Sequence, residues 1–284
     1  MGRITTAGGV EYDPVTLDAV ERGFWRDIWE SAPAGAGAEH GIELRRFGPV
    51  QASIVTALPS VGMLNLILGA TEPGAVSGGH LAAAVEWVAS KGVRPYVPVT
   101  PGLPGSEAAE AWLTANGFAS GYAWMKFVRD VHPPRFPAPE GVEVVRLSGA
   151  DEEPFGMIAA NGFGLPTWGA AFFAGLPRNP DWRCYVARVD GVAQACGAML
   201  VQAEVAEFGI GATLEGGRRR GCQLALLRRR ILDAAEAGCR LLFVETGARA
   251  EDRPAGSYRN ILRAGFEEAY LRPNWAPSER GAAS

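Results

Sequence analysis

The chain has 284 residues, which is enough for two domains of roughly 100 to 200 residues each, and its 48% apolar content can fill two hydrophobic cores. These values exclude a disordered or fibrous protein. Charged residues make up 20% of the chain and the formal net charge is -4, a balance that gives no reason to expect nucleic acid or a membrane surface as partner. We therefore expect the partner to be a small molecule.

The first half begins with aromatic residues and a loop. Residues 32–41 are rich in glycine and alanine, which predicts a flexible loop. Residues 47–71 carry no charge and are long enough to cross a bilayer, but Pro59, Gly62 and Asn65 interrupt them. Two buried strands are therefore predicted in place of a membrane span. A helix is predicted over 81–90 and a strand over 92–99.

The second half alternates strand-like and helix-like segments in a regular order. The pattern predicts a strand, two helices, three antiparallel strands, a long helix, a buried strand, a short helix and a last strand, over 142–147, 151–163, 168–176, 182–189, 193–202, 205–213, 221–237, 241–245, 257–264 and 266–272. The apolar stripe of the long helix is predicted to contain Leu224, Leu227, Ile231, Leu232 and Ala235. Gly238 is predicted to end this helix.

The end of this order recurs in weaker form in the first half. Aligning Phe118 with Phe266 places Tyr122 on Tyr270, and a short helical segment precedes each phenylalanine. A duplicated domain explains this recurrence. Residues 132–139 contain four prolines, so we predict a boundary there that divides the chain into lobes 1–135 and 136–284.

Cysteine and histidine form no metal-binding or disulfide pattern. The four cysteines have spacings that fit neither a metal knuckle nor a small disulfide framework, and they are Cys184, Cys196, Cys222 and Cys239. The histidines lie far apart in the sequence, so no metal site is predicted. Unpaired thiols and a chain start without a signal-peptide pattern predict a cytoplasmic location.

The clearest motif lies at residues 213–223, Thr-Leu-Glu-Gly-Gly-Arg-Arg-Arg-Gly-Cys-Gln. A predicted strand runs here into a glycine-rich basic loop that opens the long helix. Free backbone N–H groups and the positive end of the helix dipole favour an anion at such a position, and arginines add charge-assisted hydrogen bonds. The alternative is an ordinary helix start with solvated arginines. The same environment is expected to lower the pKa of the Cys222 thiol.

Arg218 to Gln223 resembles the RxxGxG/A loop of the GCN5-related N-acetyltransferases, and the helix, strand, short helix and Gly-Phe that follow resemble the same family. The resemblance covers about residues 142–275. It implies an α/β fold with a mixed sheet, built as two such lobes in tandem. The stretch 72–80 of the first lobe has no arginine, so that lobe is predicted to be degenerate and to help shape the substrate cleft. Trp25, Trp29 and Trp87 are candidates for lining that cleft, although aromatic residues at helical spacing are more often core residues.

The resemblance also implies acetyl-coenzyme A as cosubstrate. The loop amides and arginines would hold its pyrophosphate, the preceding strand would present N–H groups to the thioester carbonyl, and a residue of the short helix would bind the pantetheine. By position these residues are Arg218, Arg219, Arg220, Gly221, Cys222 and Gln223 in the loop, Ala212, Thr213 and Leu214 in the strand, and Asn260 in the short helix. Gln223 stands where the family pattern has glycine or alanine.

Acetyl transfer to an amine needs a base, and the thiolate that leaves needs an acid. Glu207 occupies the position of the catalytic glutamate in one branch of the family, although strand alternation leaves open whether it faces the cleft or solvent. Glu204 is the second choice. Ile261 replaces the family's usual tyrosine, so Tyr258, one helical turn earlier, is the candidate acid.

Together these observations predict an acyltransferase that moves the acetyl group of acetyl-coenzyme A directly to an amine of a small molecule. Two alternatives stay open at this point. A non-catalytic protein would bind acyl-coenzyme A without turnover. A scaffold would use the duplicated lobes for interaction and bind no cofactor, with its helix arginines exposed to solvent.

Overall fold

The computed structural model describes residues 3–148, 152–249 and 256–278. Within these ranges the chain forms eight α-helices, joined in places by short 3-10 turns. The helices are α1 (Pro14–Ser31), α2 (Ala34–His40), α3 (His80–Ser90), α4 (Ser106–Ala115), α5 (Glu152–Gly162), α6 (Ala171–Ala174), α7 (Cys222–Glu236) and α8 (Gly256–Arg263). The strands of the same ranges are β1 (Ile4–Thr5), β2 (Glu11–Tyr12), β3 (Ile42–Phe47), β4 (Val50–Val55), β5 (Leu66–Leu68), β6 (Val97–Pro98), β7 (Phe118–Arg129), β8 (Val142–Arg146), β9 (Trp182–Val189), β10 (Val192–Gln202), β11 (Val205–Thr213), β12 (Leu241–Gly247) and β13 (Glu267–Pro277).

One eight-stranded mixed sheet organises the fold. Its strand order is β6, β13, β7, β12, β11, β10, β9, β8. All neighbouring strands in it are antiparallel except β11 and β12, which run parallel. A separate three-stranded sheet contains β3, β4 and β5, and β1 and β2 form a short antiparallel pair.

Strand β7 crosses from the first half of the chain into the middle of the large sheet. It pairs with β12 on one side and with β13 on the other. Its buried end places Phe127 and Val128 in two different hydrophobic clusters, one on each face of the sheet. The division of the chain into lobes at residue 135 stays a prediction. The large sheet contains strands from before and from after that residue.

The structure confirms the predicted order of elements in the second half, with small shifts at their ends. The segment predicted as a second helix over 168–176 is a 3-10 turn, the short helix α6 and another 3-10 turn. The predicted start of the helix before it, Asp151, lies outside the described residues. The buried stripe of α7 includes Leu227, Ile231 and Ala234, whereas Leu232 is exposed and Ala235 faces solvent. The stripe prediction was wrong for those two residues, because the helical period continues it from Ile231 to Ala234.

Two predictions for the first half need correction. Residues 34–40 form helix α2 and not a flexible loop; Gly41, in the left-handed conformation, ends it, and the His40 ring stacks on Trp168 at 3.8 Å between ring centroids. The predicted strand 92–99 shrinks to β6, since Pro95 and Pro98 lack the N–H group that a longer ladder requires. The uncharged segment 47–71 contains β4 and β5, which confirms the two buried strands. In the described ranges no helix is long and apolar enough to cross a membrane.

Helices cover both faces of the large sheet. On one face α7 packs Leu226, Leu227 and Ile231 against Phe208 and Val244 of the two parallel strands. On the opposite face α1 contributes Phe24, Trp25, Ile28 and Trp29 to a second core. Because α1 belongs to the first half of the chain, both halves contribute side chains on this second face.

Candidate active site

The loop before α7 leaves the start of that helix without a side-chain cap. Gly221 is the N-cap residue, with φ of 85°, and no side chain accepts a hydrogen bond from the first turn. Arg218, Arg219 and Arg220 are exposed, and the Nη2 atom of Arg220 lies 3.2 Å from a carboxylate oxygen of Asp190. An uncapped helix N-terminus beside three exposed cations has the chemistry that a pyrophosphate requires.

The parallel strands β11 and β12 are paired over their first residues and separate about halfway along their length. Their pairing ends at Phe208 with Val244, and β11 has an irregular register with β10 between Gly209 and Ala212, where it contains one extra residue. Ile210 lies at this bulge with φ of 49°. A cavity of about 660 Å³ occupies the opening, and residues 209–211 and 244–247 line it.

The bulge changes which amides face the cavity. Ala212, Thr213 and Leu214 are not among the lining residues, and the Leu214 N–H donates to the backbone oxygen of Gln194 at 2.8 Å. The positions predicted from the sequence hold only for a regular strand, and β11 contains one extra residue between Gly209 and Ala212. The structure instead brings Gly209, Ile210 and Gly211 to the cavity.

Glu207 faces the cavity from β11, on the side of the sheet that α1 covers. It is 2% exposed, and its Oε2 atom has no hydrogen-bond partner. Burial, followed by the nearby charge of Glu21, raises the pKa of Glu207 well above its ordinary value. Strand alternation left two orientations open, and the structure selects the one that faces the cleft. Glu204, the second choice, is exposed and pairs with Arg240.

Glu207 belongs to a buried cluster of charges that four strands and one helix assemble. Lys126 of β7 contacts Glu21 of α1 at 2.9 Å and also contacts Glu245 of β12. Arg272 of β13 contacts Glu21 as well, and its Nη2 lies 3.4 Å from Glu245 Oε2. Although burial acts in the opposite direction, Arg272 and Lys126 lower the pKa of Glu21 to about 2. Burial is the largest of the causes that raise the pKa of Glu245.

Tyr258 points to a different part of the molecule. Its hydroxyl donates to Glu268 Oε1 at 2.5 Å, its ring packs edge-on against Phe127, and it does not line the cavity. Burial and the Glu268 carboxylate raise the pKa of Tyr258 to about 12. Ile261, one turn later on the same helix, does line the cavity. At the cavity, α8 therefore presents the apolar side chain of Ile261 and not the hydroxyl of Tyr258.

Gln223 and Asn260 are linked to each other across α7 and α8. The Asn260 amide donates to Gln223 Oε1 at 2.8 Å, and the Gln223 amide donates to Ser257 Oγ at 2.9 Å. Gln223 and Ser257 line the cavity. Cys222, the neighbouring residue, is buried, and burial raises the pKa of its thiol, so the sequence expectation of a lowered pKa was wrong.

The first half supplies a wall of the cavity that sequence reasoning found only in part. Trp25 lines the cavity. The Trp29 indole N–H donates a hydrogen bond to the backbone oxygen of Ile54 in the core, and Trp87 packs on Phe47. Further lining residues from this half are Tyr96, Tyr122 and Trp124. A signal for β7 was present, because Lys126 stands inside an apolar run and is one of two lysines in the chain. Among the described residues, no group of three or more histidine, cysteine or acidic side chains is arranged to hold a metal ion.

The large mixed sheet, the separated parallel strands and the loop before α7 give the chain the fold of the GCN5-related N-acetyltransferases in its tandem form. A GCN5-related N-acetyltransferase from Kribbella flavida superposes with a TM-score of 0.58 at 19% identity, over 88% of this chain and 96% of that one. One from Sphaerobacter thermophilus gives 0.58 at 16% identity, over 80% and 76%. A tandem GNAT protein from the clavulanic acid biosynthesis pathway gives 0.56 at 17% identity, over 83% and 79%.

No model of a known protein family matches the sequence, and no curated protein matches it. At the identities of the solved structures, the similarity concerns the fold.

Proposed function

We propose that the protein transfers an acetyl group from acetyl-coenzyme A to an amine of a small molecule, with both substrates bound together. One observation carries this proposal: a single cavity extends from the first turn of α7, at Gln223, between the separated strands to Glu207 on the opposite face. A cofactor side and an acceptor side are thus connected at the point where β11 and β12 part.

The residues around α7 fit the cofactor. Its phosphates would bind at the uncapped amides of the first turn and at Arg218, Arg219 and Arg220, where positive charge is exposed. The pantetheine would lie along Gln223 and Ile261, since both line the opening. Bound acetyl-coenzyme A supplies a thioester, whose acetyl carbon bonds to the amine nitrogen while the carbon–sulfur bond breaks.

Glu207 is the proposed base. Its buried and unpartnered Oε2 is free to accept a proton from an ammonium group in the cavity. An ammonium nitrogen loses two protons when it becomes an amide; Glu207 accepts one and passes it to solvent, and the departing sulfur takes the other. The raised pKa of Glu207 makes it a stronger base than an exposed carboxylate.

The lobes 1–135 and 136–284 have different proposed tasks. The second holds the cofactor loop, whereas the first contributes α1, β7 and the aromatic wall of the acceptor side. The degenerate first lobe is thus proposed to shape the substrate site and not to bind a second cofactor.

Calorimetric titration of acetyl-coenzyme A into the wild type and into Arg218→Glu with Arg219→Glu tests the cofactor site. We expect binding to the wild type and a loss of at least about tenfold in the double variant, since two cations at a phosphate site become anions. Arg240→Glu, an exposed charge reversal away from α7, is the matched control and should bind like the wild type.

A thiol-release assay with small amines then separates turnover from binding alone. Release that depends on both substrates and is lost in Glu207→Gln supports the enzyme. If acetyl-coenzyme A binds tightly but no amine causes thiol release, the protein is a non-catalytic binder. If acetyl-coenzyme A does not bind to the wild type, the protein is a scaffold.

A further inference from the structure

The buried cluster beside the cavity contains more negative than positive groups. Three carboxylates, Glu21, Glu207 and Glu245, face two cations, Lys126 and Arg272, so the fully ionised cluster carries one negative charge in excess. Glu21, Glu207, Lys126 and Arg272 are each at most 2% exposed. An unbalanced charge at this depth is costly, so the cluster either keeps a proton or receives a cation.

The excess charge lies at the cavity and not at the closed end of the cluster. Glu21 contacts both cations through its Oε2, although its Oε1 has no partner. Glu207 forms no ion pair with either cation, and its buried Oε2 has no partner. Of the three carboxylates, Glu207 and Glu245 line the cavity. Asn274 also lines it and has an unpartnered buried oxygen, Oδ1. An ammonium group, with its three N–H donors, has the chemistry that these oxygen acceptors require.

Other groups that face this cluster do not supply the missing cation. Asp18 of α1 pairs with Arg22 and accepts a hydrogen bond from Thr100. Tyr270 of β13 is a neutral phenol whose pKa burial raises further. A single positive charge on a ligand would therefore balance the ionised cluster.

The rest of the acceptor side is apolar and aromatic. Trp25 and Trp124 lie 6.3 Å apart between ring centroids, and Phe24 packs edge-on against Trp25 at 5.8 Å. Phe163 and Met63 also line the cavity. An apolar part of a ligand is stabilised when it is buried against these aromatic side chains. The faces of the rings also attract an ammonium group.

Two arginines of the cavity wall act against a second positive charge. Arg230 is fully buried and donates to the backbone oxygens of Ala198 and Gly209, with no carboxylate among these partners. Arg94 lies beside Tyr96 and donates to a backbone oxygen. A polyamine would place its second ammonium group in a cavity that already contains these cations.

We infer that the acceptor is a small amine with one ammonium group and an apolar body, held by Glu207 and Glu245 against the tryptophans of the first lobe. This inference rests on the proposed acetyl transfer and specifies its acceptor. Glu245 acts as a binding residue. Lys126 and Arg272, which contact Glu245, and Glu21, which contacts both cations, are positioning residues that fix the Glu245 carboxylate.

Calorimetry with three probes tests the inference: 2-phenylethylamine, the neutral 2-phenylethanol of the same shape, and 1,4-diaminobutane, which carries two charges. In the wild type saturated with desulfo-coenzyme A, the monoamine should bind at least about tenfold more tightly than either other probe. Glu245→Gln should weaken the monoamine at least about tenfold and leave the alcohol unchanged. The matched control, Glu204→Gln, removes an exposed carboxylate outside the cavity and should change nothing.

The inference is overturned if the wild type binds the alcohol as tightly as the monoamine, or the diamine more tightly than the monoamine. Because this comparison uses the wild type alone, the test does not depend on whether a variant folds. A folded Glu245→Gln that binds the monoamine like the wild type also overturns it. Titration of acetyl-coenzyme A in the same preparation separates the two proposals. Cofactor binding without the expected amine ranking refutes only the acceptor class. If acetyl-coenzyme A does not bind, the three probes are ranked in the protein alone, and the expected ranking there refutes only the acetyl transfer.

Discussion

Replacing Lys126 by methionine removes a buried ammonium group and leaves an apolar side chain of similar length. The Lys126 side chain has no exposed surface, and its Nζ contacts Glu21 and Glu245. Removing one partner of a buried ion pair costs about 3–5 kcal/mol, because the remaining charges stay buried without compensation. Domains are stable by about 5–15 kcal/mol, so Lys126→Met should lose a large part of the free energy of unfolding.

A second substitution tests whether charge balance is the cause. Glu245→Gln in the Lys126→Met background removes one of the carboxylates that lost its cation, so it should restore most of the lost stability. Urea unfolding followed by tryptophan fluorescence and circular dichroism measures both variants. Lys91→Met is the matched control, since Lys91 is the other lysine and its partly exposed pair with Glu43 contributes about 0–1 kcal/mol.

The reasoning is refuted if Lys126→Met stays within about 1 kcal/mol of the wild type, which is the range of an exposed pair. It is also refuted if Glu245→Gln adds a further loss in that background. Either result would mean that water or a rearranged side chain compensates the cluster.

Three further predictions concern the loop, the tyrosine and the base. Gly221→Ala should cost about 1–2 kcal/mol for its left-handed backbone and a further amount because its Cβ would lie 2.7 Å from Pro139 Cβ, and it should weaken acetyl-coenzyme A binding. Gly238→Ala should show the backbone cost alone, since a Cβ at Gly238 meets no atom within 4 Å. Urea unfolding and calorimetry measure the two effects, and equal cofactor affinities would contradict the loop's role. Tyr258→Phe loses a hydrogen bond to Glu268 but should keep the thiol-release rate within about twofold, since its hydroxyl lies outside the cavity; a much larger fall would make it the acid predicted from the sequence. The raised pKa of Glu207 gives stability that is present at low pH and is lost as pH rises through that pKa, so Glu207→Gln should gain stability relative to the wild type between pH 5 and pH 9. Urea unfolding at the two pH values measures this, and an unchanged difference would contradict a buried carboxylate that ionises.

Local signals predicted the glycine-rich basic loop and the start of α7. The loop before α7 combines glycine, arginine and the start of an apolar helical stripe within a few residues, and each signal acts at short range in the chain. The same holds for the order of strands and helices in the second half. The bulge at Ile210 is the exception, because one extra residue in a strand leaves the alternation of apolar side chains almost unchanged.

Among the cavity-lining residues on the α1 side of the sheet, the sequence pointed only to Glu207 and Trp25. The charge cluster unites residues from α1, β7, β11, β12 and β13, and Glu21 lies far from Arg272 in the sequence. No local pattern in the sequence indicates that β7, from the first half of the chain, pairs with both β12 and β13 from the second half. Glu245, at the end of an apolar strand, is a polar residue whose partners become visible only in the folded sheet.

The insertion of β7 between β12 and β13 also fixes an order of events during synthesis. A ribosome releases residues 118–129 before residues 241–247 and 267–277, so while residues 130–240 are made this strand has neither of its neighbours. Both of its edges then offer unpaired N–H and C=O groups, and Lys126 is exposed on one of its faces. The sheet closes only when the second half has been made, so we expect the nascent first half to expose unpaired strand edges for longer than an independently folding domain does.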